Sequence, residues 1–204
     1  YKVEGDWAYL DEEESGHCTK TLRKKIGDAL SFTDGCGGMY EGKIVDISKQ
    51  NCQLQILKKI NQPDDFNTKK FKIHIAIAPT KNIERLEWFL EKATEIGIDE
   101  ISLILCQRSE RKQVRLDRLE KIIVSAAKQS LKSHFPKIHD LIKFKEFITK
   151  ASATHKSIAH CNTDGLPHFK NLIQGQEDLL ILIGPEGDFS LDEVAWAKEK
   201  DFVE

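Results

Sequence analysis

The sharpest local feature of the sequence is the stretch LLILIGPEGDFS, residues 179–190. Its apolar run 179–183 predicts the most buried strand of the chain, and residues 190–193 have the pattern of a capping box that begins a helix. Gly184 and Gly187 lack a Cβ, so a ligand could lie against the backbone of the loop between them. A plain strand-to-helix turn explains the same residues equally well. The loop is neither a P-loop nor a GxGxxG motif.

Strands and helices alternate through the region that precedes this stretch. The predicted strands are 71–78, 101–106 and 157–161, and the predicted helices are 83–96, 116–131 and 145–151. Such alternation favours right-handed crossovers and a parallel sheet with flanking helices, which is an α/β domain. If the strand ending near His160 lies beside strand 179–183, the two carboxyl ends share one crevice. A lone histidine at a strand end is more often structural than a ligand.

The first 60 residues follow a different pattern of short, closely spaced strands. Strands are predicted at 7–10, 29–33, 39–46 and 53–60, which favours antiparallel pairing in a small β-barrel. The polar segment 61–67 contains a proline and is the predicted boundary. The predicted domains are therefore 1–62, the barrel, and 70–204, the α/β domain.

Composition excludes several classes of protein. The chain has 204 residues, of which 40% are hydrophobic and 31% charged, as expected for a soluble globular protein. No window approaches the length of an uncharged apolar membrane span. The five cysteines are widely spaced and form no CxxC pair, which argues against a disulfide framework and a zinc site. We therefore expect a reducing cytoplasmic location and no metal.

Charge is unevenly distributed although the net charge is only −2. Residues 107–137 hold nine lysines and arginines against three acidic residues, and Lys20, Arg23, Lys24 and Lys25 form a second basic cluster. Such clusters can bind phosphates, and a solvated helix face explains them equally well. Arg108 follows the carboxyl end of a predicted strand, where it could contact a phosphate or a base.

Four motifs together resemble the ribosomal RNA small subunit methyltransferase E family, which belongs to the SPOUT class. They are residues 91–97 (EKATEIG), 107–111 (QRSER), 126–130 (AAKQS) and 183–187 (IGPEG). The stretch 17–23, with Gly27-Asp28 and Asp34-Gly35, resembles the family's PUA-like RNA-binding domain. The resemblance covers essentially the whole chain.

This resemblance implies methylation of uridine N3 in 16S rRNA of the small ribosomal subunit, with S-adenosylmethionine as the donor. It also implies a homodimer and a trefoil knot around the cofactor. The residues that it assigns to cofactor binding are Ala159, His160, Ile183, Gly184, Pro185, Glu186 and Gly187. Arg108 and Glu186 are the candidate catalytic residues. The candidate RNA-binding residues, taken with the basic clusters, are His17, Arg23, Lys24, Arg111, Arg115, Gln129 and Lys132.

The sequence departs from the family pattern at three places. Asp188 stands where a second glycine is common, and Lys132 stands where an arginine is common. The family pattern continues beyond Glu204 with a segment that forms the knot and the third cofactor loop, so the α/β domain is expected to be incomplete at its carboxyl end. Two alternatives therefore remain. One is a non-catalytic RNA-binding protein with a PUA-like module and a decayed α/β domain, and the other is a SPOUT methyltransferase that acts on another RNA.

Overall fold

The computed structural model describes residues 2–48, 51–60, 71–161, 165–166, 168–173, 175 and 177–204. The chain divides into two compact units, one of residues 1–68 with 131–134, and the other of residues 69–130 with 135–204. The predicted boundary at 61–67 lies outside the described residues, so the exact domain limits stay a prediction.

The first unit is built on a five-stranded antiparallel sheet. Its strands are β1 (Lys2–Glu4), β2 (Trp7–Leu10), β3 (Ala29–Thr33), β4 (Met39–Ile47) and β5 (Cys52–Ile60). They pair in the order β1-β2-β5-β4-β3. Helix α1 (Glu12–Gly16) and a π-helical turn, His17–Thr21, connect β2 to the residues before β3. The buried core contains Ala8, Phe32, Ile44 and Leu54, with the thiols of Cys18 and Cys52 among them.

The second unit contains a five-stranded sheet in which all neighbouring strands are parallel. The strands are β6 (Ile73–Ile77), β7 (Glu100–Leu105), β8 (Lys137–Lys143), β9 (His155–Ala159) and β10 (Leu179–Ile183). The helices are α2 (Ile83–Ile96), α3 (Leu116–Gln129), α4 (Phe144–Lys150) and α5 (Leu191–Lys198), and a 3₁₀ turn spans Phe169–Asn171. The order β8-β7-β6-β10-β9 places the late strand β10 between β6 and β9.

Both faces of the parallel sheet are buried, which explains why its strands are nearly continuous apolar runs. Ile75 and Ile77 of β6 face a cluster that includes residues of α2 and α3. The alternate residue Ala76 faces a second cluster, which includes residues of α4 and α5. The sheet is therefore the middle of three layers, and the loops at its carboxyl edge are left to form a site.

Local patterns in the sequence predicted the bounds of several helices and strands correctly. Helix α2 and strand β10 have the predicted bounds. Asn82 caps α2 by accepting a hydrogen bond from the Glu84 N–H, and Gly97 ends it with a φ of +100°. Strand β9 begins and ends two residues earlier than predicted, and β8 was not predicted. The longest helices among the described residues, α2 and α3, have 14 residues each, fewer than a membrane-spanning helix needs.

Candidate active site at the carboxyl edge of the parallel sheet

The strand pairing brings the two predicted cofactor loops to one edge of the sheet. Ile183, the last residue of β10, pairs with Ile77 of β6 on one side and with Ala159 of β9 on the other. The Ala78 N–H also donates to the Ile183 carbonyl, at 2.9 Å. Because parallel strands end at the same edge, the loops that follow β6, β9 and β10 are neighbours.

The loop after β10 is a tight turn that leads into α5. The Asp188 N–H donates to the Pro185 carbonyl at 2.9 Å, and Asp188 has a φ of +62°. The predicted capping box is present. The Glu193 N–H donates to Ser190 Oγ at 3.2 Å, and the Ser190 N–H donates to Glu193 Oε2 at 2.9 Å. The capping box therefore satisfies the Ser190 and Glu193 N–H groups at the start of α5.

The two glycines of the loop serve different purposes. A Cβ at Gly184 would lie 3.0 Å from the ring of Phe189, whose side chain is completely buried. A Cβ at Gly187 would lie 3.4 Å from Cβ of Arg108, which is an ordinary contact. Packing against Phe189 thus accounts for the glycine at 184, whereas packing alone does not require one at 187.

Three consecutive residues connect this loop to three different loops. Glu186 Oε1 accepts a hydrogen bond from the Lys81 N–H, in the loop after β6, at 2.8 Å. The Gly187 carbonyl accepts from Arg108 Nη1, in the loop after β7, at 2.7 Å. Asp188 Oδ2 accepts from the Cys161 N–H, in the loop after β9, at 2.9 Å. These contacts hold four loops in a fixed arrangement around the carboxyl edge.

Two arginines predicted to meet substrate also bind backbone carbonyls. Arg108, the candidate catalytic cation, is exposed, and its Nη1 donates to the Gly187 carbonyl at 2.7 Å and to the Phe189 carbonyl at 3.5 Å. Arg111, a candidate RNA-binding residue, donates from Nε to the Thr80 carbonyl at 2.9 Å and from Nη2 to the Lys81 carbonyl. Arg111 thus braces the loop after β6, which the sequence did not indicate.

Glu193 has a second role that its position in a capping box did not suggest. Its side chain is buried at 3% exposure, and Oε1 accepts a hydrogen bond from the Gln107 N–H at 2.8 Å. One carboxylate therefore joins the start of α5 to the loop after β7. Burial, and secondarily the negative charge of Glu193, raises the pKa of the neighbouring Cys106 thiol.

His160 is enclosed by the end of the described chain. Its ring is 1% exposed, and Nε2 lies 3.1 Å from Glu204 Oε1. Lys198 Nζ donates to the other oxygen of Glu204 at 2.7 Å, and chiefly this contact lowers the pKa of Glu204. A mostly apolar cavity of about 320 Å³ lies beside His160; Ala159, Phe169, Leu172 and Ile181 also line it.

The candidate RNA-binding residues are divided between the two units. His17 and Arg23 are exposed in the first unit, where Lys24 Nζ donates to the Ala29 carbonyl at 3.0 Å. Lys132 is partly buried in the 131–134 segment that groups with that unit. In the second unit, Gln129 is the exposed last residue of α3, and Arg115 forms an exposed ion pair with Asp117 at 2.7 Å.

Models of two protein families match the chain. One, described as an RNA methyltransferase domain, matches residues 67–204, and the other, described as an RNA methyltransferase PUA domain, matches residues 10–57. The ribosomal RNA small subunit methyltransferase E 2 of Borreliella burgdorferi is 30% identical over 193 residues, which cover 91% of this chain and 76% of that protein. The chain belongs to the ribosomal RNA small subunit methyltransferase E family. This membership confirms the resemblance found in the sequence.

Solved structures of similar proteins confirm the fold of the family in this chain. A crystal structure described as a "probable rRNA-methyltransferase" from Porphyromonas gingivalis is 37% identical, with a TM-score of 0.82, over 95% of this chain and 82% of that one. The methyltransferase E of Neisseria gonorrhoeae, bound to S-adenosyl methionine, is 19% identical and has a TM-score of 0.82 over 100% and 84% of the two chains. The predicted fold, a PUA-like domain followed by a SPOUT α/β domain, is confirmed.

Proposed function

We propose that the protein transfers the methyl group of S-adenosylmethionine to N3 of a uridine in 16S rRNA of the small ribosomal subunit. The observation that carries this proposal is the glycine-containing loop 184–187 beside the end of β9, in a chain that belongs to the methyltransferase E family. Family membership favours this enzyme over an RNA-binding module without catalytic activity. Binding of S-adenosyl methionine by the Neisseria relative supports the choice of donor.

The residues at this edge fit such a cofactor. Gly187 presents its backbone without a Cβ, and the mostly apolar cavity beside Ala159 and His160 suits a purine ring. We propose that Ile183, Gly184, Pro185, Glu186 and Gly187 hold the cofactor from one side, and Ala159 and His160 from the other. When bound, the cofactor supplies a methyl group on a positively charged sulfur.

The chain's own residues would prepare the uracil for transfer. N3 of uracil carries a proton that must leave, so a base is required. Among the described residues, hydrogen bonding engages only Oε1 of Glu186, and Oε2 can accept that proton. Arg108 uses Nη1 on the Gly187 carbonyl, and its remaining N–H groups can stabilise negative charge on a uracil carbonyl oxygen. The target base must be unpaired or flipped to enter the site.

We further propose that the basic residues of both units hold the RNA backbone, that the protein works as a homodimer, and that it acts in the cytoplasm. The PUA-like domain would contribute His17, Arg23 and Lys24. The α/β domain would contribute Arg111, Arg115 and Gln129, and Lys132 would contribute from the segment 131–134, which groups with the first unit. Phosphate contacts of this kind position an RNA without reading its sequence.

A methyl-transfer assay tests the proposal. Small ribosomal subunits from cells that lack the activity would be incubated with the protein and labelled S-adenosylmethionine, and the modified position would be mapped by primer extension. A methyl group on N3 blocks Watson–Crick pairing, so reverse transcription should stop at one uridine of 16S rRNA. Glu186→Gln and Arg108→Lys should each lower kcat by about 100-fold or more. Label in another RNA, or at another uridine atom, would overturn the assignment.

A further inference from the structure

Asp188 combines an unusual backbone conformation with one side-chain hydrogen bond inside its own loop and one to the loop after β9. Its φ of +62° lies in the left-handed region, which favours glycine. Oδ1 accepts from the Phe189 N–H at 2.7 Å, within its own loop, and Oδ2 accepts from the Cys161 N–H at 2.9 Å, in the loop after β9. A glycine here would adopt the same backbone at lower cost but would lose both contacts.

We propose that Asp188 is a positioning residue that sets the spacing between the loop after β9 and the loop after β10. This inference rests on the proposed function, because these are the two loops assigned to the cofactor. A carboxylate is suited to the task since each of its oxygens serves one backbone N–H. An asparagine offers only one oxygen acceptor, and a glycine or alanine offers none.

The other contacts of the loop cannot replace this one. Glu186 and the Gly187 carbonyl connect the loop to residues that follow β6 and β7, on the side away from β9. Among the described residues, Asp188 is the member of this loop whose side chain bonds to the loop after β9. Without this contact, binding of the cofactor must itself fix the relative position of the two loops. The entropy lost in that ordering lowers the affinity for the cofactor.

The decisive comparison uses Asp188→Gly, Asp188→Asn and a matched control. Asp201 has the same φ of +62°, is exposed and lies outside the two cofactor loops. Asp201→Gly therefore removes the same backbone strain without changing a contact between those loops. Calorimetry should show that Asp188→Gly binds S-adenosylmethionine about tenfold more weakly, with Asp188→Asn between it and the wild type. The KM for the cofactor should rise in parallel while kcat at saturation stays within about twofold. Asp201→Gly should match the wild type.

Amide hydrogen exchange supplies a readout that does not depend on catalysis. In Asp188→Gly the Cys161 and Phe189 amides should exchange faster, while amides in α2 should keep the wild-type rates. Wild-type affinity in a folded Asp188→Gly, or unchanged exchange at both amides, would overturn the positioning role and leave the proposed function intact. If the wild-type protein binds no S-adenosylmethionine, the proposed function fails and this inference fails with it.

Discussion

His74 is a partly buried titratable residue whose ionisation should contribute to the acid sensitivity of the fold. Its Nε2 lies 2.8 Å from Ser102 Oγ. The Phe147 ring packs edge-on against the imidazole, with 5.7 Å between the two ring centroids. Burial lowers the pKa of His74 from 6.5 to about 4. Between pH 6.5 and about 4, His74 therefore binds a proton in the unfolded chain but not in the folded protein. Stability should fall as the pH drops from 6.5 to 4, by up to about 3 kcal/mol from this group.

The variant His74→Phe should lose this part of the pH dependence. Urea unfolding at pH 7 and at pH 4.5 would give the free energy of unfolding of both proteins. The difference between the two pH values should be smaller in His74→Phe than in the wild type. His168→Gln, at an exposed histidine, is the control and should retain the wild-type difference. Equal pH dependence in His74→Phe and the wild type would contradict the prediction.

The five thiols should separate into two reactivity classes. Cys36 and Cys161 are exposed, whereas Cys18, Cys52 and Cys106 are buried. Burial raises the pKa of Cys52 to about 11 and also raises the pKa values of Cys18 and Cys106, which further disfavours the reactive thiolate. A colorimetric thiol reagent at pH 8 should modify two thiols of the native protein quickly, and all five in urea. A third fast thiol in the native protein would show that a core opens readily.

The start of helix α5 depends on one buried carboxylate, that of Glu193. Glu193→Ala leaves the Gln107 and Ser190 N–H groups without their acceptor and should lower the free energy of unfolding by about 2–4 kcal/mol. Ser190→Ala removes only the cap and should cost about 1 kcal/mol. Asp192→Ala, at an exposed first-turn position, should cost at most about 0.5 kcal/mol. Denaturant titrations in which all three variants are equally stable would refute this ranking.

The loop before α5 should tolerate a methyl group at one glycine and not at the other. Gly184→Ala places a Cβ 3.0 Å from the buried Phe189 ring and should destabilise the protein by about 1–3 kcal/mol. Gly187→Ala makes an ordinary contact with Arg108 and should change stability by less than about 0.5 kcal/mol. Thermal unfolding of the two variants side by side is the measurement. A larger loss of stability in Gly187→Ala than in Gly184→Ala would contradict this prediction.

The salt dependence of RNA binding by the protein should separate two kinds of arginine. Arg23 and Arg115 are exposed. In the double variant Arg23→Gln/Arg115→Gln, the slope of log affinity against log salt concentration should decrease in magnitude by about 1.5. Arg111 already donates to the Thr80 and Lys81 carbonyls, so Arg111→Gln should change the salt slope less than either of these two substitutions does. It should also weaken binding of S-adenosylmethionine, because the loop after β6 loses these contacts. Filter binding of RNA over several salt concentrations tests the slopes, and calorimetry with S-adenosylmethionine tests the cofactor affinity. An unchanged slope in the double variant would identify an ordinary solvated surface.

Elements with strong local signals were predictable from sequence, and those that depend on distant partners were not. Helix α2 has an apolar stripe, a capping asparagine and a terminal glycine, so its bounds follow from neighbouring residues. Strand β8 lies at the edge of the sheet and has mixed polarity, KIHDLIK. No pattern in its own residues predicts a strand or its pairing with β7. The contacts of Arg108 and Arg111 join residues 79 and 31 positions apart. Long side chains with many rotamers give no sequence signal for such partners.

A nascent chain that has emerged from the ribosome only as far as β9 contains four of the five parallel strands and lacks the one that joins β6 to β9. Until residues 179–183 appear, the facing edges of those two strands keep their N–H and C=O groups without the partner that they have in the folded protein. At roughly 5–20 residues per second, this interval lasts on the order of seconds. We therefore expect the interval between the synthesis of β9 and that of β10 to be the stage at which this domain most needs chaperones and is most prone to aggregate.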